Sequence, residues 1–283
     1  MINYENFEIS AVVCSLNAES QIQKCLESLV ESNVGEIILV DGNSSDRTVE
    51  LAKKFTNKIF KDPGKGLAFA RNLGIKNATK DLILNFGVDN TIDSKNLFSL
   101  KQDFLKNDYC GVASCTKLKI TNYLSRSLNE YKKVRFYPGE RLVIGTPNIF
   151  ERSLLLDEPY RDDLTWSDDA ELCKRLRIKR NCTFYVSNSY CFEIGQNSWK
   201  NITNRWMNYG KSDSEVFKDN FYSRNFFENI KSIFYPIKVE FFQPLFKLNI
   251  FYKVYLLPFL IYICFFRYLG WARSYFANEF FTK

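Results

Sequence analysis

The residues of this sequence best placed to do chemistry are acids that follow directly on apolar runs. Ile37-Ile38-Leu39-Val40 is wholly apolar, stops at Asp41 and passes through Gly42-Asn43-Ser44-Ser45 toward a helix start. Leu82-Ile83-Leu84-Asn85-Phe86-Gly87-Val88-Asp89 repeats the pattern. A buried parallel strand that ends this way delivers its acid to the carboxyl edge of a sheet, where open α/β folds bind ligands. Such a carboxylate can accept hydrogen bonds from a ligand or hold a metal. Asp168-Asp169, at the head of a helical stretch, is an acid pair of the kind that general acid–base chemistry uses. The 283 residues include no histidine. That excludes Ser-His and Cys-His catalysis and zinc–histidine sites, and leaves acid–base work to carboxylates, Lys, Tyr or Cys.

The elements that must position these acids alternate. Glu8–Cys14 reads as a strand, Ser20–Glu31 as a helix with Ile22, Leu26, Leu29 and Val30 apolar, and Glu36–Asp41 as the second strand. Asp46 is placed to cap a helix running to about Phe55, its side chain accepting from first-turn amides. Lys58–Phe60 is a short strand, Gly66–Asn77 a helix, Asp81–Phe86 a strand, Asp93–Leu105 a helix capped by Asp93, and Cys110–Cys115 a strand. This βαβα rhythm predicts a doubly wound, mostly parallel sheet with flanking helices. The pattern loosens from about Thr116 to Gly145 and resumes at Gly145-Thr146-Pro147-Asn148-Ile149-Phe150. Arg161-Asp162-Asp163 reads as an acidic loop, and Asp168–Arg177 as a helix. Lys174, Arg175, Arg177, Lys179 and Arg180 read as its solvated face. Plain structural roles compete for the acids: Asp41 can close an Asx-turn, and Asp168 and Asp169 suit a helix's first turn. For Arg71 the plain role is a surface salt bridge.

Five segments, in order and spacing, resemble a family 2 glycosyltransferase with a GT-A fold: Cys14-Ser15-Leu16-Asn17-Ala18-Glu19, Val40–Thr48, Gly66-Leu67-Ala68-Phe69-Ala70-Arg71-Asn72-Leu73-Gly74, Asp81–Asp89 and Trp166-Ser167-Asp168-Asp169-Ala170-Glu171-Leu172. The resemblance covers roughly residues 8–195. It implies a Rossmann-like catalytic domain over 1–197 whose nucleotide site includes Ser15, Asn17, Glu19, Asp41, Gly42 and Arg71. Asp41 would meet uracil, which favours a UDP-sugar, and Arg71 would grip the diphosphate. Asp89 takes the last place of the family's DxD motif, which holds Mg2+ or Mn2+ on the diphosphate. This chain departs by having Gly87 at the first acidic place, with Asn90 or Asp93 as possible supplements. It also lacks the family's late histidine near Phe192–Glu193, where Glu193 could substitute. Asp169 matches the catalytic base, and Asp168 beside it would raise its proton affinity by like-charge repulsion. The resembled reaction is transfer, with inversion, from a nucleotide-diphosphate sugar to an acceptor hydroxyl in cell-surface glycan or lipid-linked saccharide synthesis.

With 46% hydrophobic and 25% charged residues this is a folded chain. The eight cysteines form no CxxC pair, and Met1–Ser10 shows no secretory signal, so free buried thiols in a reducing cytosol are expected. The net charge of +7 sits late: after Asn197 there are twelve basic and six acidic residues, and 26 of the 46 aromatic ones. That marks 198–283 as an aromatic, basic, helical tail. Its uncharged run Val254–Phe266 is shorter than the roughly twenty residues a span needs. The basic, Trp and Tyr residues flanking it resemble interfacial anchors; Pro258 suggests a bend or re-entrant segment, and a buried core helix is the competing reading. The expected partners are a nucleotide-sugar donor, a glycan or lipid-linked acceptor and the cytoplasmic face of a membrane, met peripherally, re-entrantly or by a single span. Nucleic acid is not expected, because the basic residues are spaced apart. Two alternatives stay open. A nucleotidyltransferase would need a glycine-rich, lysine-bearing loop after the first strand, which Cys14–Glu19 is not. A degenerate, non-catalytic nucleotide-sugar-binding scaffold would explain Gly87 and the missing histidine.

Overall fold

A computed structural model describes residues 8–163, 168–195, 198–222 and 224–277. They group into two compact units, Met1–Lys119 with Phe136–Gly195, and Ile120–Arg135 with Gln196–Lys283.

The first unit is built on a sheet. In chain order it contains β1 (Ile9–Ser15), α1 (Glu19–Glu31), β2 (Glu36–Asp41), α2 (Thr48–Ala52), β3 (Ile59–Lys61), α3 (Leu67–Asn77), β4 (Leu82–Gly87), β5 (Asn90–Thr91), α4 (Ser94–Leu105) and β6 (Gly111–Leu118). After α5 (Tyr123–Arg135), which belongs to the second unit, come β7 (Gly139–Arg141), β8 (Asn148–Glu151), α6 (Arg152–Asp157), α7 (Asp168–Arg180) and β9 (Phe184–Glu193). The strand order is β3-β2-β1-β4-β8-β6-β9-β5, with β7 against β9. β3, β2, β1 and β4 run parallel, and so do β6 and β9. β8 enters antiparallel between β4 and β6.

Alternation along the central strands divides their side chains between two cores. Val12, Ile38, Val40 and Ile83 pack with Ala68 and Ile75 of α3 and Leu172 and Leu176 of α7. Ala11, Val13, Leu39 and Leu84 pack with Leu26 and Leu29 of α1 and Leu97 and Leu100 of α4. Both faces are covered, which is why these strands read as unbroken apolar runs. A slip of one residue would exchange the two sets.

Three expectations need correction. The stretch left without pattern contains the helix Tyr123–Arg135. Leu124, Ser125 and all of Ser127–Lys132 are buried, so it carries no one-sided apolar stripe to read. The cysteines are not all free: Cys110 and Cys182 form a disulfide across a separation of 72 residues. The β6–β9 register, with Gly111 opposite Phe184, brings the two together, and nothing in their spacing announces it. The helix after Asp46 spans only Thr48–Ala52 and begins from Arg47; Asp46, one place earlier, accepts from the Thr48 amide at 3.0 Å.

The second unit is helical. It holds α5, α8 (Trp199–Asn220), α9 (Phe226–Ile233), α10 (Tyr235–Ile237), a π-helical turn at Lys238–Phe242, α11 (Gln243–Lys247) and α12 (Ile250–Ala277). Its core sets Trp206, Tyr131 and Phe259 edge to face with centroids 5.9 to 6.2 Å apart. The apolar run Val254–Phe266 lies inside α12, which continues through Pro258. Arg267 of the same helix is buried; it grips Asp213 of α8 at 2.6 and 2.9 Å and pairs with Glu240, which also accepts from the Tyr131 hydroxyl.

Candidate active site

The register of the parallel strands assembles the sheet edge that the sequence points to. Ser15 lies opposite Asp41, and Cys14 lies opposite Gly87, so the ends of β1, β2 and β4 stand side by side. Asp41 is 4% exposed. Its carboxylate accepts from Ser15 Oγ at 3.3 Å, the Ser44 amide at 2.8 Å and Ser44 Oγ at 2.5 Å. The Asx-turn role is therefore filled. A carboxylate has about four acceptor positions, so about one is left for a ligand. Gly42 donates its amide to the Ser15 carbonyl at 2.8 Å and closes the turn onto β1.

Asn17 and Glu19 stitch the loop after β1 to the loop after β2. Asn17, at φ 49°, accepts from the Ser45 amide at 2.9 Å, and its own amide donates to Ser44 Oγ at 2.9 Å. The Glu19 amide donates to Asp46 at 3.0 Å, and its carboxylate accepts from the Arg47 amide at 3.3 Å. The glycine-bearing turn Gly64-Lys65-Gly66 could be mistaken for a phosphate cradle. Its three amides instead donate to Asp62 at 2.8 to 3.1 Å.

The structure brings Arg71 of α3 together with the acid pair that opens α7. Arg71 is 6% exposed; its Nη1 pairs with Asp168 and, at 3.1 Å, with Asp169, while its Nη2 donates to Thr146 Oγ1 at 2.7 Å. This is a buried cluster rather than a surface salt bridge. Burial works against the arginine's charge, yet Asp169 and Asp168 outweigh it and hold the pKa above its ordinary value. The two acids differ in access: the Asp168 side chain is 10% exposed and that of Asp169 is 23% exposed. Burial pushes Asp169 up to about 6, with Asp168 adding to the rise, while Arg71 and a hydrogen bond from Tyr160 oppose it. Asp169 is thus a partly accessible carboxyl that loses its proton just below neutral pH. The thiols offer no competing nucleophile: burial pushes Cys14, Cys173 and Cys191 up to about 12. Trp166 and Ser167 of the same motif lie outside the described residues.

Residues that the sequence did not single out complete this cluster. Tyr160 is 2% exposed; its ring lies 5.1 Å from the guanidinium carbon of Arg71, and its hydroxyl accepts from Asn85 Nδ2 at 3.2 Å. Asn72 clamps its backbone, donating to the Tyr160 carbonyl at 2.7 Å and accepting from its amide at 3.0 Å. The one available signal was Asn85, an amide inside the buried run Leu82–Phe86, where a polar group needs partners. It finds Asn148 of β8 at 2.9 Å.

Asp89 follows β4. Its carbonyl accepts from the Ile194 amide at 2.7 Å, and Asn90 pairs with Glu193, so the end of β9 is joined to this turn. Glu193, at the late position, is thereby brought beside Asp89 in sequence register. A Cβ on Gly87 would stand 2.6 Å from Asn90 Nδ2 and 2.7 Å from Asp89 Oδ1, so those side chains occupy the space an acid at 87 would use. Asp93 is committed as the cap of α4, accepting from the Asn96 amide at 2.7 Å. Among the described residues no three His, Cys, Asp or Glu side chains cluster closely enough to cage a metal. The donor set does fit a hard cation carried mainly by phosphate oxygens and water, which needs only one or two protein carboxylates. The buried Asn90 Oδ1, without a hydrogen-bond partner, is a further oxygen at this turn.

Comparison with known proteins identifies the family and the fold. A cholesterol galactosyltransferase of Borreliella burgdorferi is 21% identical over 211 residues, 65% of this chain and 59% of that protein. A poly-beta-1,6-N-acetyl-D-glucosamine synthase of Staphylococcus epidermidis is 24% identical over 234 residues, 76% and 57% of the two. The chain thus spans a little under three fifths of the length of these relatives. Among solved structures, S. aureus TarS 1-349 in complex with UDP-GlcNAc superposes with a TM-score of 0.51 at 14% identity, over 96% of this chain and 91% of that one. GalNAc-T7 with UDP, GalNAc and Mn2+ gives 0.54 at 14% identity, over 67% and 44%. These likenesses are of fold, and they are to GT-A enzymes. The model of the family described as Glycosyl transferase family 2 matches residues 10–156, more than half of the chain, which therefore belongs to that family.

Proposed function

We propose that this chain is a glycosyltransferase that moves a sugar from a UDP-sugar to an acceptor hydroxyl with inversion, using Asp169 as the base. The acceptor oxygen bonds to the anomeric carbon as the bond to the diphosphate oxygen breaks; the hydroxyl proton passes to Asp169, and the electron pair leaves with UDP. One partly exposed carboxyl that ionises near pH 6, with the thiols beside it held protonated, is the observation that carries this reading. Arg71 and Tyr160 hold the carboxyl in place, and Asp168 shares the arginine's charge. The remaining acceptor position of Asp41 suits the uracil N–H, with Ser15, Asn17, Glu19 and Gly42 shaping the wall around it. Mg2+ or Mn2+ would be held by Asp89, with Glu193 the next carboxylate, and would neutralise the leaving diphosphate.

The acceptor belongs to a glycan or lipid-linked saccharide presented at the cytoplasmic face of a membrane. Support comes from the named activities of the relatives and from the basic, aromatic second unit. Release of UDP from a panel of UDP-sugars with Mn2+, for the wild type and Asp169→Asn, tests the chemistry. Turnover in the wild type and a loss of at least about a hundredfold in the variant are expected. Equal turnover in both removes Asp169 from its role; UDP binding without turnover of any donor favours the scaffold alternative.

A further inference from the structure

Two helices of the second unit expose apolar faces. On α12, Phe259, Leu260, Ile263 and Gly270 are buried, while Ile250, Val254, Leu257, Ile261 and Phe265 are 39 to 77% exposed. The exposed five recur at steps of four and three, so they form one stripe roughly opposite the buried face. At a rise of about 1.5 Å per residue the stripe is about 22 Å long. α9 buries no residue, and Phe226 and Phe227 are each 72% exposed. A capping box holds its start: Asn225 accepts from the Glu228 amide at 2.9 Å, and Glu228 accepts from the Asn225 amide at 3.1 Å. The helix is ordered at its end while its phenylalanines face outward.

Charge says what covers these faces. The segments of the second unit carry sixteen basic and seven acidic residues, a net +9, which leaves −2 for the rest of a +7 chain. Lys231 and Lys238 are exposed in and just after α9, and Arg273 is exposed near the end of α12. A second copy would bring +9 against +9; an anionic lipid surface complements it.

We propose that α9 and α12 lie in the plane of an anionic membrane, their phenylalanine and aliphatic faces seated in one leaflet, and that α12 does not cross. Length and composition alone would let α12 span. It is locked to α8, however. A Cβ on Gly210 would stand 1.8 Å from the Arg267 carbonyl oxygen, and one on Gly270 2.1 Å from that of Met207, so the two backbones touch. Lys218 of α8 donates to the carbonyls of Ser274 and Tyr275 at 3.1 and 2.8 Å. α12 could enter the hydrocarbon only with α8, which carries Arg205, Lys211, Asp213, Glu215 and Lys218. Each of those charges is penalised there. The seating deepens the membrane reading above and is independent of the transfer chemistry.

Flotation of the purified full chain with vesicles tests it, using phosphatidylcholine alone or with phosphatidylglycerol. The wild type should float with the anionic vesicles, and at least about tenfold less well without phosphatidylglycerol or at high salt. Val254→Glu/Ile261→Glu/Phe265→Glu should lose at least about tenfold in binding with donor turnover unchanged, and Phe226→Ser/Phe227→Ser should lose part of it. No flotation of the wild type, or undiminished flotation of the triple variant, overturns the seating. A wild-type dimer that the triple variant abolishes, without flotation, would assign the face to a second copy instead. A fluorophore on Ile261→Cys should be quenched more by lipids brominated near the headgroup than by lipids brominated at the chain ends; the reverse order means that α12 crosses. Flotation without turnover would defeat the transfer reading alone, and turnover without flotation the seating alone.

Discussion

At Asp169 function and stability pull in opposite directions, and Asp169→Asn separates them. Burial holds the carboxyl at about 6 against an ordinary 3.8. That gap corresponds to roughly 3 kcal/mol of preference for the protonated form in the folded chain over the unfolded one. The figure already contains the opposing pull of Arg71 and the Tyr160 hydrogen bond. Because the folded value is the higher, the folded chain binds the proton more tightly. The stability that Asp169 contributes is greatest below pH 3.8, falls as pH rises toward about 6, and is level above it. Asparagine cannot ionise, and its Oδ1 can still accept from Tyr160 and Arg71, while Arg71 keeps Asp168. The variant should therefore unfold at higher urea than wild type at pH 8, by about 2–3 kcal/mol, and at nearly the same urea at pH 4. Urea unfolding followed by circular dichroism at several pH values reads this directly, beside a turnover assay in which the variant is inactive. A variant less stable than wild type at pH 8 would mean that the Arg71 ion pair outweighs burial, and the proposed base would then be a structural carboxylate.

Tyr160→Phe removes a hydrogen bond that favours the ionised base, so the acid limb of kcat/KM should move up by up to about one pH unit with donor KM unchanged; an unmoved limb would leave Tyr160 a packing residue. Gly87→Asp displaces the Asp89 and Asn90 side chains and adds a carboxylate, so Mn2+ binding in the presence of UDP should tighten by about tenfold, read by electron paramagnetic resonance. Weaker binding would show that Asp89 and Asn90 are needed where they now lie. Arg267→Met strands Asp213 and Glu240 in the interior and should cost about 3–5 kcal/mol at neutral pH. Part of that should return on acidification, as Asp213, which burial already raises, takes up its proton; a pH-independent loss in urea unfolding would contradict it.

Legibility in the sequence followed the range of the interaction. β2 and β4 were readable because each is buried on both faces, which writes the strand into consecutive residues. The Asp93 cap was readable because donor and acceptor lie three residues apart. Antiparallel β8 was not, since its four residues owe their direction to β4 and β6, tens of positions away. The disulfide and the helix at 123–135 fail for the same reason: one depends on a distant register, the other is wrapped by partners from another part of the chain. At the site, the ends of strands were foreseen and the lateral contacts were not. Asp41 and Asp168–Asp169 announce themselves, whereas Tyr160 reaches the cluster through Asn72 and Asn85, over separations of 88 and 75 residues.

Arg71 illustrates what such lateral contacts change. As an isolated residue on a helix of small side chains it suits a diphosphate. In the fold its Nη atoms serve Asp168, Asp169 and Thr146 inside a buried cluster. Turning the guanidinium toward phosphate would leave two adjacent carboxyls buried without a counter-ion, a loss of about 3–5 kcal/mol. A new charge-assisted hydrogen bond returns only about 1.5–3 kcal/mol, so at least two would be needed to break even, from a side chain 7% exposed. On the proposed reading, then, Arg71 stays with the acids and the charge of the leaving diphosphate falls to the cation at Asp89. Gly87 makes that cation's protein ligands fewer while the occupied arginine makes the cation more necessary. The donor's own phosphate oxygens must therefore complete its shell, and metal should bind measurably only when UDP or a UDP-sugar is present. Mn2+ titrations with and without UDP decide the point: tight binding of metal to the free enzyme would require protein ligands beyond Asp89 and Glu193 and would return Arg71 to the diphosphate.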